Sequence, residues 1–221
     1  MLLFALWNAG GFWPSVIDDS YISLRYAQNI IDGHGPVFNA GQHVEGFSNP
    51  TWVAVLVFTR LMGAQSLVGA KIVGLLSHAI TVIAVVGVAR RLLAKSAMHR
   101  SCPWGMILGA ALYCVSLPAN YWPASGMETS FYAALLIVAI WRVIVELDRK
   151  DADPVVWSAL LAGVASISRP EAPLLVLPIV ATRVWPLLRH KKWRSLVSWA
   201  SMFSIPSVGY LFFRWSYYGL P

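Results

Sequence analysis

Seven apolar stretches constrain this chain more than any other feature. They run about 1–17, 66–89, 103–122, 126–145, 155–168, 171–188 and 196–215, and each is set off from the next by a charge cluster or a Pro/Gly break. At ~1.5 Å per residue, a helix of about twenty residues crosses the ~30 Å hydrocarbon core of a bilayer. With 57% of the 221 residues hydrophobic and only 12% charged, the chain has too little polar surface to coat a water-soluble domain. Inside lipid every backbone polar group must find its partner within the chain, so the expected fold is all-α and polytopic, with about seven spans. The first stretch covers only ~25 Å and predicts a short first span. It lacks the basic start and A-x-A site of a signal peptide. Between 155 and 188 two short stretches meet at Ser168-Arg169-Pro170-Glu171. A single bent helix is an alternative there, and two spans are the preferred reading.

Charge favours that choice. With alternating spans and residues 18–65 on one side, the opposite side receives Arg90, Arg91, Lys95, Arg100, Arg142, Arg149, Lys150, Arg183, Arg189, Lys191, Lys192 and Arg194, which is 12 of the 17 basic residues. The positive-inside rule makes those loops cytoplasmic. The outer face then keeps Asp18, Asp19, Asp32, Glu45, Glu128 and Glu171, six of the ten acids. The net charge of +7 is therefore topological, and its partner is lipid headgroups.

The first outer loop, 18–65, is too long and too patterned for a plain connector. In DSYISLRYAQNIIDG the polar residues Arg25, Gln28, Asn29 and Asp32 oppose Ile22, Tyr26, Ile30, Ala27 and Ile31, and Gly33 supplies a stop. This predicts an amphipathic helix in the outer interface. A Gly/Asn-rich loop follows, and Pro50 then opens a helix of about 13 residues to Gly63, too short to span. Two interfacial helices thus flank a polar loop.

Several chemistries are absent. No P-loop, GxGxxG, zinc-type Cys/His spacing or basic–aromatic tract for nucleic acid occurs. Cys102 and Cys114 would lie on different levels of one helix and read as packing residues, not a disulfide. His34 and His43 with Asp18 suggest a metal only by residue type, since no ligand spacing supports a divalent ion, and no cofactor is expected.

Asp18 and Asp19 stand where the first span meets the outer interface. Neighbouring helical positions diverge by ~100°, so one carboxylate, partly buried, is expected to face a common pocket as a general base. Their structural alternative is to end a span or cap a helix. Ser125-Gly126-Met127-Glu128 and Ser168-Arg169-Pro170-Glu171 both read S-x-x-E at a helix start, the pattern of a capping box. The functional alternative has both helix N-termini facing one outer cavity that favours an anion, with Arg169 as a phosphate clamp unless it merely pairs with Glu171 or another outer acid. His34, Glu45 and Asn49 lie in the loop, in reach of a shared pocket. Trp215, Tyr217 and Tyr218 read as an interfacial belt or, in the minority reading, a sugar platform.

These residues carry a resemblance. Asp18 to Ala27 (DDSYISLRYA), Gly33 to Asn39 (GHGPVFN) and Val44 to Trp52 (VEGFSNPTW) look like the first outer loop of a GT-C membrane glycosyltransferase. More narrowly they resemble mycobacterial-type terminal arabinofuranosyltransferases and related polyprenyl-phosphate-sugar transferases. Ser125 to Thr129 (SGMET), Ser168 to Ala172 (SRPEA) and Arg214 to Pro221 (RWSYYGLP) are similar to further blocks in the same order. The resemblance implies a GT-C bundle over 1–221 in a bacterial plasma membrane, with its site on the outer face. It implies inverting transfer from a polyprenyl-phosphate sugar to a glycan, lipid or protein acceptor. It maps the family's acidic pair onto Asp18 and Asp19 as the catalytic residues, with Asp18 the better candidate for the base; on the mechanism this implies, Arg169 would clamp the donor phosphate and His34, Glu45, Asn49, Glu128, Glu171 and Tyr218 would contact sugar or acceptor. Members of the group usually continue into more helices and a soluble outer domain, which are expected beyond this chain. The rival readings are a transporter or flippase of lipid-linked sugars, which would put ionisable groups near the midplane in repeated halves, and a non-catalytic fragment.

Overall fold

A computed structural model describes residues 1–94, 105–148 and 156–219. Cys102, Lys95, Arg100, Arg149, Lys150, Leu220 and Pro221, used in the sequence reading, lie outside the described residues. Everything described is helix, turn or loop: α1 (Leu2–Gly10), α2 (Ser20–Ile31), α3 (Pro50–Leu61), α4 (Ser66–Ala94), α5 (Gly105–Val115), α6 (Leu117–Tyr121), a 3-10 turn (Trp122–Ala124), α7 (Thr129–Asp148), α8 (Trp157–Ser166), α9 (Ala172–Arg189) and α10 (Trp193–Tyr218). The chain is a helical membrane protein.

Four helices, α4, α7, α9 and α10, are long and apolar enough to cross a membrane. The other three expected spans are not continuous helices of that length. α1 has 9 residues and α8 has 10, each covering about 15 Å at most. The stretch 103–122 is cut at Ser116, whose extended backbone precedes Leu117-Pro118. Pro118 has no N–H to offer the Cys114 carbonyl, so the α5 ladder ends here, and that carbonyl accepts Asn120 Nδ2 at 2.8 Å instead. Hydropathy alone does not register that break. The 155–188 stretch folds as a helical hairpin and not as one bent helix: Val156 and Ala159 pack with Val180 and Val184, while Ala162 and Ala165 pack with Ala172 and Val176.

Small residues let the helices approach. A Cβ on Gly163 of α8 would strike the Phe203 carbonyl of α10, one on Gly74 of α4 the Pro123 carbonyl, and one on Gly87 the Trp141 ring of α7. Close backbone approach suits a bundle held by dispersion and polar contacts where water supplies no hydrophobic force between helices. The exposed side chains of α10 (Val197, Ile205, Val208, Leu211, Phe212, Trp215) form an apolar face of the kind lipid solvates.

The two helices of the first loop form as expected. α2 and α3 pack through Leu24, Ala27, Trp52 and Leu56, with Ala70 of α4 beneath them. The face of α2 is rotated from the expected one. Asn29 and Ser23 are buried, whereas Ile22 is exposed. Asn29 turns inward because its amide donates to the carbonyls of Val37 (2.7 Å) and Phe38 (2.9 Å), closing the Gly-rich loop onto the helix.

Candidate functional site

The turn before α2 carries the acid pair. Asp19 is the residue preceding α2 and forms no side-chain cap bond. Asp18 and Asp19 act through their carbonyls, which accept the N–H groups of Tyr21 (2.9 Å) and Ile22 (3.2 Å). Both side chains are exposed, in place of the partial burial expected for one of them. The pair sits on an exposed turn, with both carboxylates open to a reactant.

Beside it lies a buried polar relay that joins three distant segments. The Ser23 hydroxyl donates to Asn49 Oδ1 at 3.0 Å, and Asn49 Nδ2 donates to Glu128 Oε2 at 2.9 Å. Glu128 Oε1 lies 3.6 Å from Arg169 Nε, which also lies 2.7 Å from Glu171 Oε1, and Arg169 Nη1 donates to Thr129 Oγ1 at 3.4 Å. Thr51 donates to Ser168 Oγ at 2.8 Å, and Trp52 Nε1 to the Gly126 carbonyl at 3.3 Å. The starts of α3, α7 and α9 therefore converge. Glu128 is 4% exposed, a position at which a carboxylate persists only when paired and hydrogen-bonded, as here.

The two S-x-x-E patterns are not capping boxes. Ser125 Oγ donates to the Trp122 carbonyl at 2.8 Å and accepts the Met127 N–H at 3.2 Å, and Glu128 turns to Asn49 and Arg169. Ser168 Oγ donates back to the Val164 carbonyl at 2.7 Å, and Glu171, which precedes α9, makes no cap bond. Tertiary partners outcompete the local cap. Arg169 is in ion pairs with both glutamates, the pairing that the sequence left as its structural alternative.

A second cluster pins the loop to the end of α10. Glu45 Oε2 lies 2.8 Å from Arg214 Nε, and Tyr210 donates to Glu45 Oε1. The Tyr218 hydroxyl donates to the Pro36 carbonyl, His43 packs on Tyr217 with ring centroids 4.8 Å apart, and a Cβ at Gly35, whose φ is +82°, would run into the Tyr217 hydroxyl. Burial pushes the Tyr26 phenol up, so it stays protonated while it donates to the Val44 carbonyl and accepts the Gly46 N–H, both at 2.8 Å. Glu45 and Tyr218 are thus engaged within the chain, and His34 is exposed on the loop. Tyr210 and Arg214 escaped the sequence reading as site residues. Their signal was the spacing 210, 214, 218, which places all three on one helix face. Among the described residues no group of three His, Cys, Asp or Glu side chains is arranged to hold a metal ion.

Comparison with known proteins agrees with the motifs. The chain is 30% identical, over 95% of its length, to a terminal beta-(1->2)-arabinofuranosyltransferase of Mycobacterium tuberculosis. It is 28% identical, over 99% of its length, to a protein of the same name from Corynebacterium glutamicum. It spans about a third (34% and 33%) of the length of these relatives. No family model and no solved structure matches it. The resemblance to mycobacterial-type terminal arabinofuranosyltransferases therefore holds over nearly the whole chain.

Proposed function

We propose that this chain is the membrane part of an inverting glycosyltransferase that moves a sugar from a polyprenyl-phosphate donor to a cell-envelope acceptor on the outer face of a bacterial plasma membrane. One observation carries the reading. The first loop and the SGMET, SRPEA and RWSYY blocks, scattered from residue 18 to residue 218, close into two contiguous polar clusters at the end of the bundle where the acid pair stands open. The names of the relatives favour arabinofuranose as the sugar. The charge asymmetry supports the outward orientation. The bundle belongs on this reading to a GT-C-type fold in which α1, α8 and the broken α5–α6 stretch complete seven passages with help from their flanking turns.

In this mechanism Asp18 takes the proton of an acceptor hydroxyl as that oxygen attacks the anomeric carbon, and the polyprenyl phosphate leaves from the opposite face. Asp19 orients sugar or acceptor hydroxyls around it, with His34 on the rim, and buried Asn49 and Glu128 brace the site from behind. Arg169 stabilises the departing phosphate. Glu171, the more exposed of its two partners, gives way to the phosphate, while buried Glu128 keeps the Arg in place.

Arg169→Ala in the full-length protein is expected to raise the apparent KM for donor about tenfold or more, the worth of one charge-assisted hydrogen bond. An unchanged donor KM would leave Arg169 as a structural ion alone. For donor identity, membranes carrying the full-length protein are incubated with a panel of polyprenyl-phosphate sugars. Turnover of the arabinofuranosyl donor is expected, and turnover of a hexosyl donor alone would reassign the sugar. Transfer from none of them would overturn the function.

A further inference from the structure

We propose that Lys71 is a positioning residue whose buried ammonium braces the segment presenting Asp18; the inference rests on the reading of Asp18 as the base. Lys71 lies in α4 near its outer end and is 4% exposed. Its Nζ donates to the Trp13 carbonyl and, at 2.9 Å, to the Ser15 carbonyl, and it lies 5.3 Å from the centroid of the Trp13 ring. Among the described residues no carboxylate lies within ion-pair distance of it. An ammonium without a counter-ion is costly to bury, so a span gains nothing from a lysine here as packing alone.

The carbonyls it holds explain its place. The chain leaves α1 through a turn at residues 11–14 and has no regular structure until Ser20. Lys71 gathers two carbonyls, two residues apart, around one cation. Just downstream the Ile17 N–H donates to the Ser125 carbonyl at 3.2 Å, and the Ser20 hydroxyl donates to the Ile17 carbonyl at 2.6 Å. Asp18 follows directly. The acid pair, exposed and without side-chain bonds of its own, thus takes its position from the backbone on either side, and Lys71 is the charged anchor of that backbone. A displacement of about 1 Å in a reacting group can cost on the order of 100-fold in rate.

The test is Lys71→Met in the full-length protein, which keeps length and apolar stem and removes the donors. Amide hydrogen exchange of residues 13–17 is expected to accelerate while exchange in α7 and α9 stays as it was. With a polyprenyl-phosphate sugar as donor, kcat is expected to fall by about tenfold or more at a donor KM within about twofold of wild type. Unchanged exchange at 13–17 would overturn the proposal, and so would faster exchange throughout the bundle with kcat and KM both impaired. Turnover lost in Asp18→Asn but kept in Lys71→Met would sink the brace alone. Turnover kept by Asp18→Asn would sink the base reading and this inference with it.

Discussion

Asp18→Asn in the full-length protein should retain membrane insertion and the native unfolding temperature while losing transfer by about 10²–10⁴-fold, the usual contribution of a positioned general base. The change is nearly isosteric and removes the charge and with it the ability to take a proton. Stability should not follow activity down, because the Asp18 side chain is exposed and only its carbonyl serves the fold, accepting the Tyr21 N–H at 2.9 Å. Asp19→Asn is the internal control. It preserves the type of residue that starts a helix, and its side chain diverges from that of Asp18. A smaller loss is expected there, expressed in KM more than in kcat. Single-turnover assays with lipid-linked sugar separate the two. Full activity in Asp18→Asn, or a greater loss in Asp19→Asn, would move the base elsewhere in the cluster.

How much of this was legible in the residues depends on how local the signal is. The two helices of the first loop and the Pro50 start follow from spacing and composition within a dozen residues, and both helices form, whereas the acid pair is exposed where one partly buried carboxylate is expected. Glu128 shows where local reading fails. S-x-x-E is a genuine capping pattern, but the partner that claims Glu128 is Asn49, 79 residues away, and no spacing rule reaches across that gap. Asn29 fails for the same reason in reverse. It reads as a solvent-facing polar residue, yet the loop carbonyls it serves fold back over it, and a buried carbonyl needs a donor more than the helix needs an apolar side chain. Among the described residues only four of the seven stretches are continuous helices long enough to span, because hydropathy sums side chains and ignores backbone: the largely apolar 103–122 stretch breaks at Ser116 before Pro118. Tyr210, Arg214 and Tyr218 were within reach, since their period of four defines a face, but the long apolar face of α10 makes it read as a plain span.

At the opposite end of the bundle, Glu146 predicts a large effect of a different kind. It is one of the four acids that the charge count leaves off the outer face. In the structure its side chain is 1% exposed and joins four helices. From α7 it accepts the Ser158 N–H at 3.0 Å and the Ser158 hydroxyl at 2.6 Å, the first turn of α8, where a carboxylate meets unpaired N–H groups and the positive end of the helix dipole. It also lies 3.5 Å from Arg183 of α9 and 3.8 Å from Arg142 on its own helix, and Ser158 Oγ in turn accepts Trp199 Nε1 of α10 at 3.0 Å. Glu146→Ala takes from Arg142 and Arg183 the buried carboxylate that both approach and strips a first-turn N–H of its acceptor. Breaking one side of a buried ion pair costs about 3–5 kcal/mol. The full-length protein in detergent is therefore expected to lose most of its resistance to unfolding in Glu146→Ala, measured by thermal scanning. Asp148→Asn, two residues further on, removes the charge of the partly exposed pair with Arg91 at 3.3 Å and should cost clearly less than Glu146→Ala. Equal effects from the two variants would mean that α8 and α9 are held by apolar contacts alone. The predicted asymmetry would instead make one carboxylate the fixed point from which the hairpin of α8 and α9 carries Ser168 and Arg169 to the other end of the bundle.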